Sequence, residues 1–317
     1  MKLQEFLNDW LVNVIKDNVR MSTYMVYHGY VHNHINPLIG DMKLVELRTE
    51  NIQKFIQTLI NDEKRKFAAK TVNDILAMLH SALQCAVEYE HISKNPCVKI
   101  RLPKSKEKEI NVFTRAEQER LEKSIINSKD SRTIGVLICL YTGIRIGELC
   151  ALRWDNIDLK NRRLNIRLSF NRVNTYDGKS AKTRLVFEEP KTTKSKRLLP
   201  LPEFLCLLLS EHKKKNVGEF VLSMKNGKPV QPRTMQYIYI RLLKAAKIEY
   251  RNFHALRHTF ATRVIELGVD IKTVSETLGH SNSIITINRY AHSLMEQKQR
   301  MMKQLDCFFN NKKFAKS

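Results

Sequence analysis

The chain has 317 residues and a formal net charge of +23, because 55 lysines and arginines stand against 32 aspartates and glutamates. With 43% hydrophobic and 27% charged residues, the composition excludes a disordered basic tail, and the length favours two domains. The longest apolar stretches, residues 134–141 and 204–209, are much shorter than the ~18 to 20 residues that cross a bilayer. The positive surplus therefore predicts a polyanionic partner, with nucleic acid favoured over a membrane surface.

The cysteines and the first residues give no sign of secretion or of a metal site. Six cysteines lie apart, without a C-x-x-C pair or nearby histidines at metal-ligand spacing, and predict reduced thiols in a cytosolic protein. Residues 1–10 carry Glu5 and Asp9 and lack the arrangement of a signal peptide. No cofactor and no metal ion is expected.

The first hundred residues predict a small all-helical domain, residues 1–100. Amphipathic segments with apolar residues at helical spacing alternate with short breaks. The second segment is expected to start with Ser22 or Thr23 as its N-cap and to run to the break at Asn36-Pro37. The four predicted helices are residues 3–14, 22–36, 51–59 and 71–87.

A linker and a new helix start are predicted next. Residues 101–112 are charged, contain one proline and lack periodicity, which is typical of an exposed linker between domains. Thr114 and Glu117 then form a T-x-x-E capping box. A second domain, residues 113–293, is therefore expected to begin with a helix.

The second domain predicts one small antiparallel sheet among helices. The apolar run of residues 134–141 indicates a buried helix that ends at Thr142-Gly143. Alternating apolar and polar residues and a turn signal at Asp177-Gly178 predict three strands. Most of the chain after these strands is again predicted to be helical. The predicted strands are residues 162–170, 184–188 and 196–201. The fold class is therefore mainly α with a small antiparallel β-sheet, an α+β fold.

The first block suited to phosphate chemistry is T-G-I-R-I-G-E-L, residues 142–149. Arg145 lies between two glycines where a helix begins, and its guanidinium can present two parallel donors to a phosphate. Glu148, three residues on, lies on the same helical face and can orient Arg145. An ordinary surface Arg–Glu pair explains this block equally well.

Lys191 lies in a cationic turn, residues 189–197, between the second and third predicted strands. At the tip of a hairpin, a lysine whose pKa is lowered by neighbouring cations can reach into a site and deliver a proton. A basic turn that only touches a DNA backbone is an equally good interpretation of any one of these cations.

Two further blocks carry histidines, an arginine and a tyrosine. The i, i+3 spacing of His254 and Arg257 places both on one helical face, where the arginine adds charge for a phosphate and the histidine can move a proton. His258 is expected to be a packing or capping residue. Leu278-Gly279-His280 is followed by Tyr290, which is a weak nucleophile unless a base or cations stabilise its phenolate. Composition alone cannot single it out among ten tyrosines.

Together these blocks resemble the tyrosine recombinase (phage integrase) family over essentially the whole chain. Residues 1–100 resemble that family's core-binding domain and residues 113–293 its catalytic domain, which together form a two-domain clamp. The type implied is a mobile-element integrase without an arm-binding domain, either a simple two-domain recombinase or a piece of a longer protein. The matching catalytic set is, in chain order, Arg145, Lys191, His254, Arg257, His280 and Tyr290.

The resemblance implies a site-specific DNA recombinase with Tyr290 as nucleophile. Tyr290 is then expected to attack a DNA phosphodiester, forming a 3′-phosphotyrosine and releasing a 5′-hydroxyl. Lys191 matches the residue that protonates the leaving 5′-oxygen, and His254 matches the residue that assists proton removal from the tyrosine. Since one ester is exchanged for another, neither ATP nor a metal is required.

The remaining matches surround the phosphate. Arg145 and Arg257 are expected to hold its non-bridging oxygens, and His280 to add a hydrogen bond. Glu148 matches an acidic position that supports the site without acting on the substrate. Two alternatives stay open. One is a type IB topoisomerase, which uses the same chemistry to relax DNA. The other is a non-catalytic DNA-binding regulator, which explains the positive charge but not the set of catalytic residues.

The resemblance also implies partners and an assembly. The expected partners are double-stranded DNA and a homotetramer on two duplexes, with accessory DNA-bending or excisionase proteins as further candidates, at the nucleoid in the cytoplasm. The tail, residues 294–317, carries Met, Leu and Phe residues at approximately helical spacing. A helix exchanged between protomers is expected there; a helix folded on its own domain is the alternative.

Overall fold

The computed structural model describes residues 1–63, 65–102, 111–174, 183–189, 196–216, 218–279, 298–299 and 301–307. Contacts divide the chain into an N-terminal unit, Met1–Lys108 with Val173–Arg184, and a C-terminal unit, Glu109–Arg172 with Leu185–Ser317. The predicted fold class, mainly α with small antiparallel sheets, is confirmed.

The N-terminal unit is built from helices, and three of them, residues 3–10, 49–60 and 69–88, are amphipathic. Apolar residues recur there every three or four positions, so each of these three helices presents one apolar face. In α1 that face is fully buried, as the exposures of Leu3 and Leu7 at 0% and Trp10 at 1% show. The described helices are α1 (Leu3–Trp10), α2 (Met21–Tyr30), α3 (Asn36–Ile39), α4 (Thr49–Ile60) and α5 (Ala69–Glu88).

The second predicted helix differs from the structure at both ends. It begins at Met21 with Arg20 as N-cap, so the prediction that Ser22 or Thr23 caps it is wrong. The backbone stays helical through a π-helical segment, Val31–Ile35, into α3. Pro37, the second residue of α3, therefore lies within a continuous helical path and does not end it.

The C-terminal unit begins with the predicted capping box. The Thr114 hydroxyl accepts a hydrogen bond from the Glu117 amide at 3.2 Å, and the Glu117 carboxylate accepts one from the Thr114 amide at 2.8 Å. The helices described in this unit are α6 (Arg115–Ile126), α7 (Ile134–Thr142), α8 (Ile146–Cys150), α9 (Glu203–Lys215), α10 (Pro232–Ala245), α11 (His254–Glu266) and α12 (Ile271–Leu278). The helix predicted for residues 134–141 is therefore confirmed as α7.

The strands form two sheets, so the prediction of a single sheet is wrong. The strands are β1 (Ile157–Asp158), β2 (Arg163–Ile166), β3 (Ser169–Asn174), β4 (Thr183–Glu188) and β5 (Arg197–Pro200). Their order is β1-β2-β5 in one sheet and β3-β4 in the other, and Ile166 pairs with Arg197 across the antiparallel β2–β5 ladder. The predicted strand 162–170 is thus two strands, because the chain changes hydrogen-bonding partner between Ile166 and Ser169.

The segment that contains Lys191 therefore joins two sheets, and the expected hairpin of paired flanking strands is wrong: β4 pairs with β3, and β5 with β2. In the tail, residues 298–299 and 301–307 are helical, and Met301, Met302 and Leu305 are exposed. Among the helices of the described ranges, we find none with the length and apolar character needed to cross a bilayer.

Candidate active site

The site begins at the turn between α7 and α8. Gly143 ends α7 with a φ of +66°, a left-handed conformation that favours glycine. A Cβ at this position would lie 2.5 Å from a ring carbon of Phe260 and 2.9 Å from a methyl carbon of Leu278, so a larger residue does not fit without movement. The turn aims the Gly143 carbonyl at Arg257, whose Nη1 donates a hydrogen bond to it at 2.8 Å.

Glu148 is buried beneath this turn, at 3% exposure, and accepts hydrogen bonds from two arginines. Arg145 donates to it from its backbone amide at 2.9 Å and from Nη1 at 2.8 Å. Arg197 donates from Nη1 at 3.2 Å and from Nη2 at 2.9 Å, one to each carboxylate oxygen. The interpretation of Arg145 and Glu148 as a surface pair is therefore wrong, because the carboxylate is enclosed.

The charge of Glu148 is maintained by these arginines. Burial works to raise the pKa of the carboxyl group, but the hydrogen bonds and charge of Arg197, together with the charge and backbone amide of Arg145, outweigh it. The pKa of Glu148 is consequently held below its ordinary value, and the side chain is an anion at neutral pH. A buried carboxylate that shares its four bonds between two arginines fixes both of them.

Three arginines meet at the carboxyl end of α12. The last carbonyls of a helix lack partners within the helix and carry the negative end of its dipole, so they attract cations. Here three consecutive carbonyls each accept a hydrogen bond from a different arginine. The bonds run from Arg197 Nε to Thr277 at 2.7 Å, from Arg257 Nη2 to Leu278 at 2.6 Å, and from Arg145 Nη2 to Gly279 at 3.3 Å.

The three arginines differ in their access to solvent. The Arg145 side chain is 38% exposed, whereas the Arg197 side chain is 6% exposed and Arg257 is 2% exposed. Arg257 and His254 both line a cleft of about 200 Å³, together with residues of the α7–α8 turn and α10. His254, exposed at the start of α11, packs edge-on against His258 with ring centroids 4.7 Å apart.

This arrangement is suited to binding a tetrahedral anion. Guanidinium groups held by carbonyls and a buried carboxylate are already oriented before a ligand arrives, so little reorganisation is needed. A phosphate oxygen that enters beside Arg145 and the cleft meets planar donors, which bind oxyanions in pairs.

Comparison with known proteins shows the family of this chain. Residues 111–297 match the model of the phage integrase family, and residues 2–60 match the model of the phage integrase N-terminal SAM-like domain. The first match alone covers more than half of the chain. The chain belongs to the phage integrase family.

Curated relatives of this phage integrase family member include recombinases and transposases. A tyrosine recombinase XerC-like protein of Caldanaerobacter subterraneus subsp. tengcongensis is 30% identical over 97% of this chain and 83% of its own length. The transposase from transposon Tn916 of Enterococcus faecalis is 25% identical over 76% of this chain and 62% of its own length.

Solved structures share the fold. A Tn1549 transposon integrase in complex with a circular intermediate DNA superposes with a TM-score of 0.81 at 21% identity, covering 96% of this chain and 99% of that one. A lambda integrase tetramer bound to a Holliday junction gives a TM-score of 0.66 at 20% identity, covering 89% and 78% of the two chains.

Four of the residues singled out in the sequence lie at this site of the integrase fold. Arg145 and Glu148 are bonded to each other, and Arg257 and His254 line one cleft. The other three predicted residues, Lys191, His280 and Tyr290, lie outside the described residues, so their placement stays a prediction.

Arg197 was missed by the sequence analysis. It lies at the end of a cationic run, residues 194–197, and such runs are usually solvated, so nothing in its composition set Arg197 apart. Its place in the predicted strand 196–201, beside Leu198 and Leu199, did not distinguish it from Lys196.

Proposed function

We propose that this integrase family member is a site-specific DNA recombinase that cuts and rejoins DNA during integration or excision of a mobile element. The observation that carries the proposal is that Arg145 and Arg257 donate hydrogen bonds to adjacent carbonyls at the end of α12. Arg145 is also bonded to the buried carboxylate of Glu148. Two guanidinium groups fixed side by side suit the two non-bridging oxygens of a phosphodiester.

In the cleavage step, the phenolic oxygen of Tyr290 attacks the phosphorus of a DNA phosphodiester. The bond between phosphorus and the 5′-oxygen breaks, and a 3′-phosphotyrosine and a free 5′-hydroxyl result. His254 accepts the phenolic proton, and Lys191 supplies the proton that the leaving 5′-oxygen needs. The strand remains attached to the protein throughout.

Charge stabilisation is the task of the remaining residues. Arg145 and Arg257 bind the non-bridging oxygens, where negative charge increases in the transition state, and His280 adds a further hydrogen bond. Glu148 keeps Arg145 in position without touching the substrate.

Rejoining is the reverse reaction with a different strand. A 5′-hydroxyl of the partner duplex attacks the 3′-phosphotyrosine and gives its proton to Lys191. The bond between phosphorus and the tyrosine oxygen breaks, and the phenolate regains its proton from His254. One phosphodiester replaces another of similar energy, so the reaction needs neither ATP nor a metal ion. Orientation and fixed charge supply most of the barrier reduction.

The assembly follows from the same proposal. Residues 1–100 contact DNA as a core-binding domain, residues 101–112 link it to the catalytic domain, 113–293, and most of the +23 charge neutralises DNA phosphates. Four protomers hold two duplexes, and the tail, residues 294–317, exchanges between neighbours. The fold shared with a lambda integrase tetramer on a Holliday junction supports this stoichiometry.

A nicked suicide substrate tests the proposal. When the short strand beyond the nick diffuses away after cleavage, rejoining is impossible and a covalent protein–DNA adduct resistant to SDS accumulates. The wild-type protein is expected to form this adduct with DNA from the ends of its element, and Tyr290→Phe is expected to form none while retaining DNA binding, because Phe lacks the attacking oxygen. Tyr237→Phe, at an exposed tyrosine on α10, is the matched control.

The outcomes separate the alternatives. An adduct in Tyr290→Phe shows that another residue is the nucleophile, and no adduct in the wild type contradicts the enzyme proposal and favours a DNA-binding regulator. Relaxation of plasmids that lack a recombination site, without strand exchange between duplexes, indicates a type IB topoisomerase.

A further inference from the structure

All three nitrogens of the Arg197 guanidinium group donate hydrogen bonds inside the protein. Its Nε donates to the Thr277 carbonyl at 2.7 Å, and its Nη1 and Nη2 reach the two oxygens of Glu148 at 3.2 and 2.9 Å. The side chain is 6% exposed, against 38% for Arg145. Arg145 is therefore the arginine of the pair that faces solvent. Arg257 is also buried but lines the cleft beside His254, whereas Arg197 is not among the described residues that line it.

The bonds of Arg197 determine what Glu148 can do for Arg145. Each oxygen of Glu148 is shared: Oε1 accepts from Nη1 of both arginines, and Oε2 accepts from the Arg145 amide and Arg197 Nη2. If Arg197 is removed, the buried carboxylate loses half of its donors and its better-enclosed cation. Such a group rotates or takes up a proton, and either change releases the Arg145 side chain.

Arg197 also connects separate parts of the site. It is the first residue of β5, where it pairs with Ile166 of β2, and it ties that point to the last turn of α12. A Cβ on Gly279, which follows α12, would lie 3.1 to 3.3 Å from atoms of the Arg197 side chain, so the helix end and the arginine are closely packed.

We infer that Arg197 is a positioning residue of the active site, which holds the Arg145 guanidinium in its phosphate-binding orientation through the shared carboxylate of Glu148. The inference rests on the proposed function, since it assigns Arg145 to the scissile phosphate. Arg197 does not touch the substrate; it acts through Glu148 and the end of α12.

A double-mutant cycle between Arg197 and Glu148 tests the inference. The variants are Arg197→Met, which keeps length and removes charge, Glu148→Gln, and the two combined. The readouts are the single-turnover rate of adduct formation on the suicide substrate at saturating DNA, and the dissociation constant for the same DNA by fluorescence anisotropy. We expect Arg197→Met to slow adduct formation about 100-fold, the cost of misplacing a catalytic group by about 1 Å, with DNA affinity changed less than about threefold.

The rate of the double variant shows whether Arg197 acts through Glu148. If Arg197 acts through Glu148, the combined change is within about threefold of the slower single variant, because the two residues form one unit. If the two effects multiply, or if Arg197→Met cleaves as fast as the wild type, the inference is wrong. A wild-type protein that forms no adduct contradicts the proposed function instead.

Two further variants separate positioning from general destabilisation. Arg263→Met removes another partly buried arginine, which donates to Glu266 at 2.8 Å and to the Phe113 carbonyl at 2.6 Å within the same unit, and is expected to leave the rate per folded molecule unchanged. If Arg197→Met does not fold, Arg197→Lys is the substitute, because it keeps the charge but loses the two parallel Nη donors to Glu148. It is expected to form the adduct more slowly than the wild type, with unchanged DNA affinity; a wild-type rate in Arg197→Lys contradicts the inference.

Discussion

The core of the N-terminal unit and the arginine site of the C-terminal unit are held together in opposite ways. In the core, helices with regular apolar faces bury residues such as Leu79 and Ile56 at 0% exposure. In the site, charged side chains bond to partners that are mostly far apart in the chain: Glu148 and Arg197 are separated by 49 positions, and Arg145 and the Gly279 carbonyl by 134. Local pattern specifies the core, whereas tertiary structure specifies the site. We therefore expect damage to the core to reduce stability, and damage to the site to reduce the rate of chemistry.

The largest effect is expected at Arg145. Arg145→Lys keeps a positive charge but loses the paired donors that bond Glu148 and the Gly279 carbonyl and that we propose bind the phosphate. Adduct formation on the suicide substrate is expected to fall by about 100- to 1000-fold, as when one fixed transition-state donor is lost. DNA affinity, measured by anisotropy, is expected to stay nearly constant.

Arg162→Lys is the matched control for Arg145→Lys, because Arg162 makes an exposed ion pair with Glu203 at 3.1 Å. It is expected to cleave at the wild-type rate. A loss of DNA affinity that accounts for the whole effect at Arg145 would show that this arginine serves binding only.

The next largest effect is expected in the core of the N-terminal unit. Leu79→Ala removes a fully buried side chain of α5 and is expected to lower the free energy of unfolding by about 2–5 kcal/mol. Urea unfolding can be followed by the fluorescence of Trp10, which belongs to this unit, in a Trp154→Phe background that leaves it as the one tryptophan of the chain.

Leu38→Ala, at a side chain that is 47% exposed in the same unit, is the matched control and is expected to cost about 0.5 kcal/mol or less. Equal losses for the two variants would mean that burial does not determine the stability of this unit. Below the unfolding transition, Leu79→Ala is expected to retain the wild-type rate of adduct formation.

The smallest effect is expected at the start of the C-terminal unit. Thr114→Ala removes the hydroxyl that accepts the Glu117 amide hydrogen and is expected to cost about 1 kcal/mol, measured by urea unfolding. Thr114→Ser keeps the hydroxyl and is expected to lose much less. If serine and alanine cost the same, the methyl group and not the capping bond stabilises this helix.

Most of the helical structure could be predicted because its determinants are local. The capping box of Thr114 and the apolar run that forms α7 lie within a few residues of what they control. The errors occur where distant partners decide. No residue near Ile166 indicates that β2 pairs with β5 while the next strand, β3, pairs with β4. The helical path through Val31–Ile35 is stabilised by the burial of Val31 and Ile35.

Part of the candidate site could be predicted, from resemblance to a family pattern and not from local sequence patterns. Arg145 and Arg257 were found through a resemblance to a family pattern, while spacing alone left Arg145 and Glu148 open to interpretation as a surface pair. Arg197 could not be found, because its burial depends on Glu148 and on the end of α12, which lie 49 and 80 positions away.

We propose that two of the arginines at the end of α12, Arg145 and Arg257, bind the scissile phosphate. A crystal structure of the Tyr290→Phe protein on an intact recombination site tests this proposal most directly. We expect donors of Arg145 and Arg257 to lie about 2.7–2.9 Å from the non-bridging oxygens of one phosphate, while Arg197 keeps its bonds to Glu148 and Thr277. A phosphate bound elsewhere, or an Arg197 that has turned away from Glu148 to bind it, would show that the phosphate site is wrongly assigned.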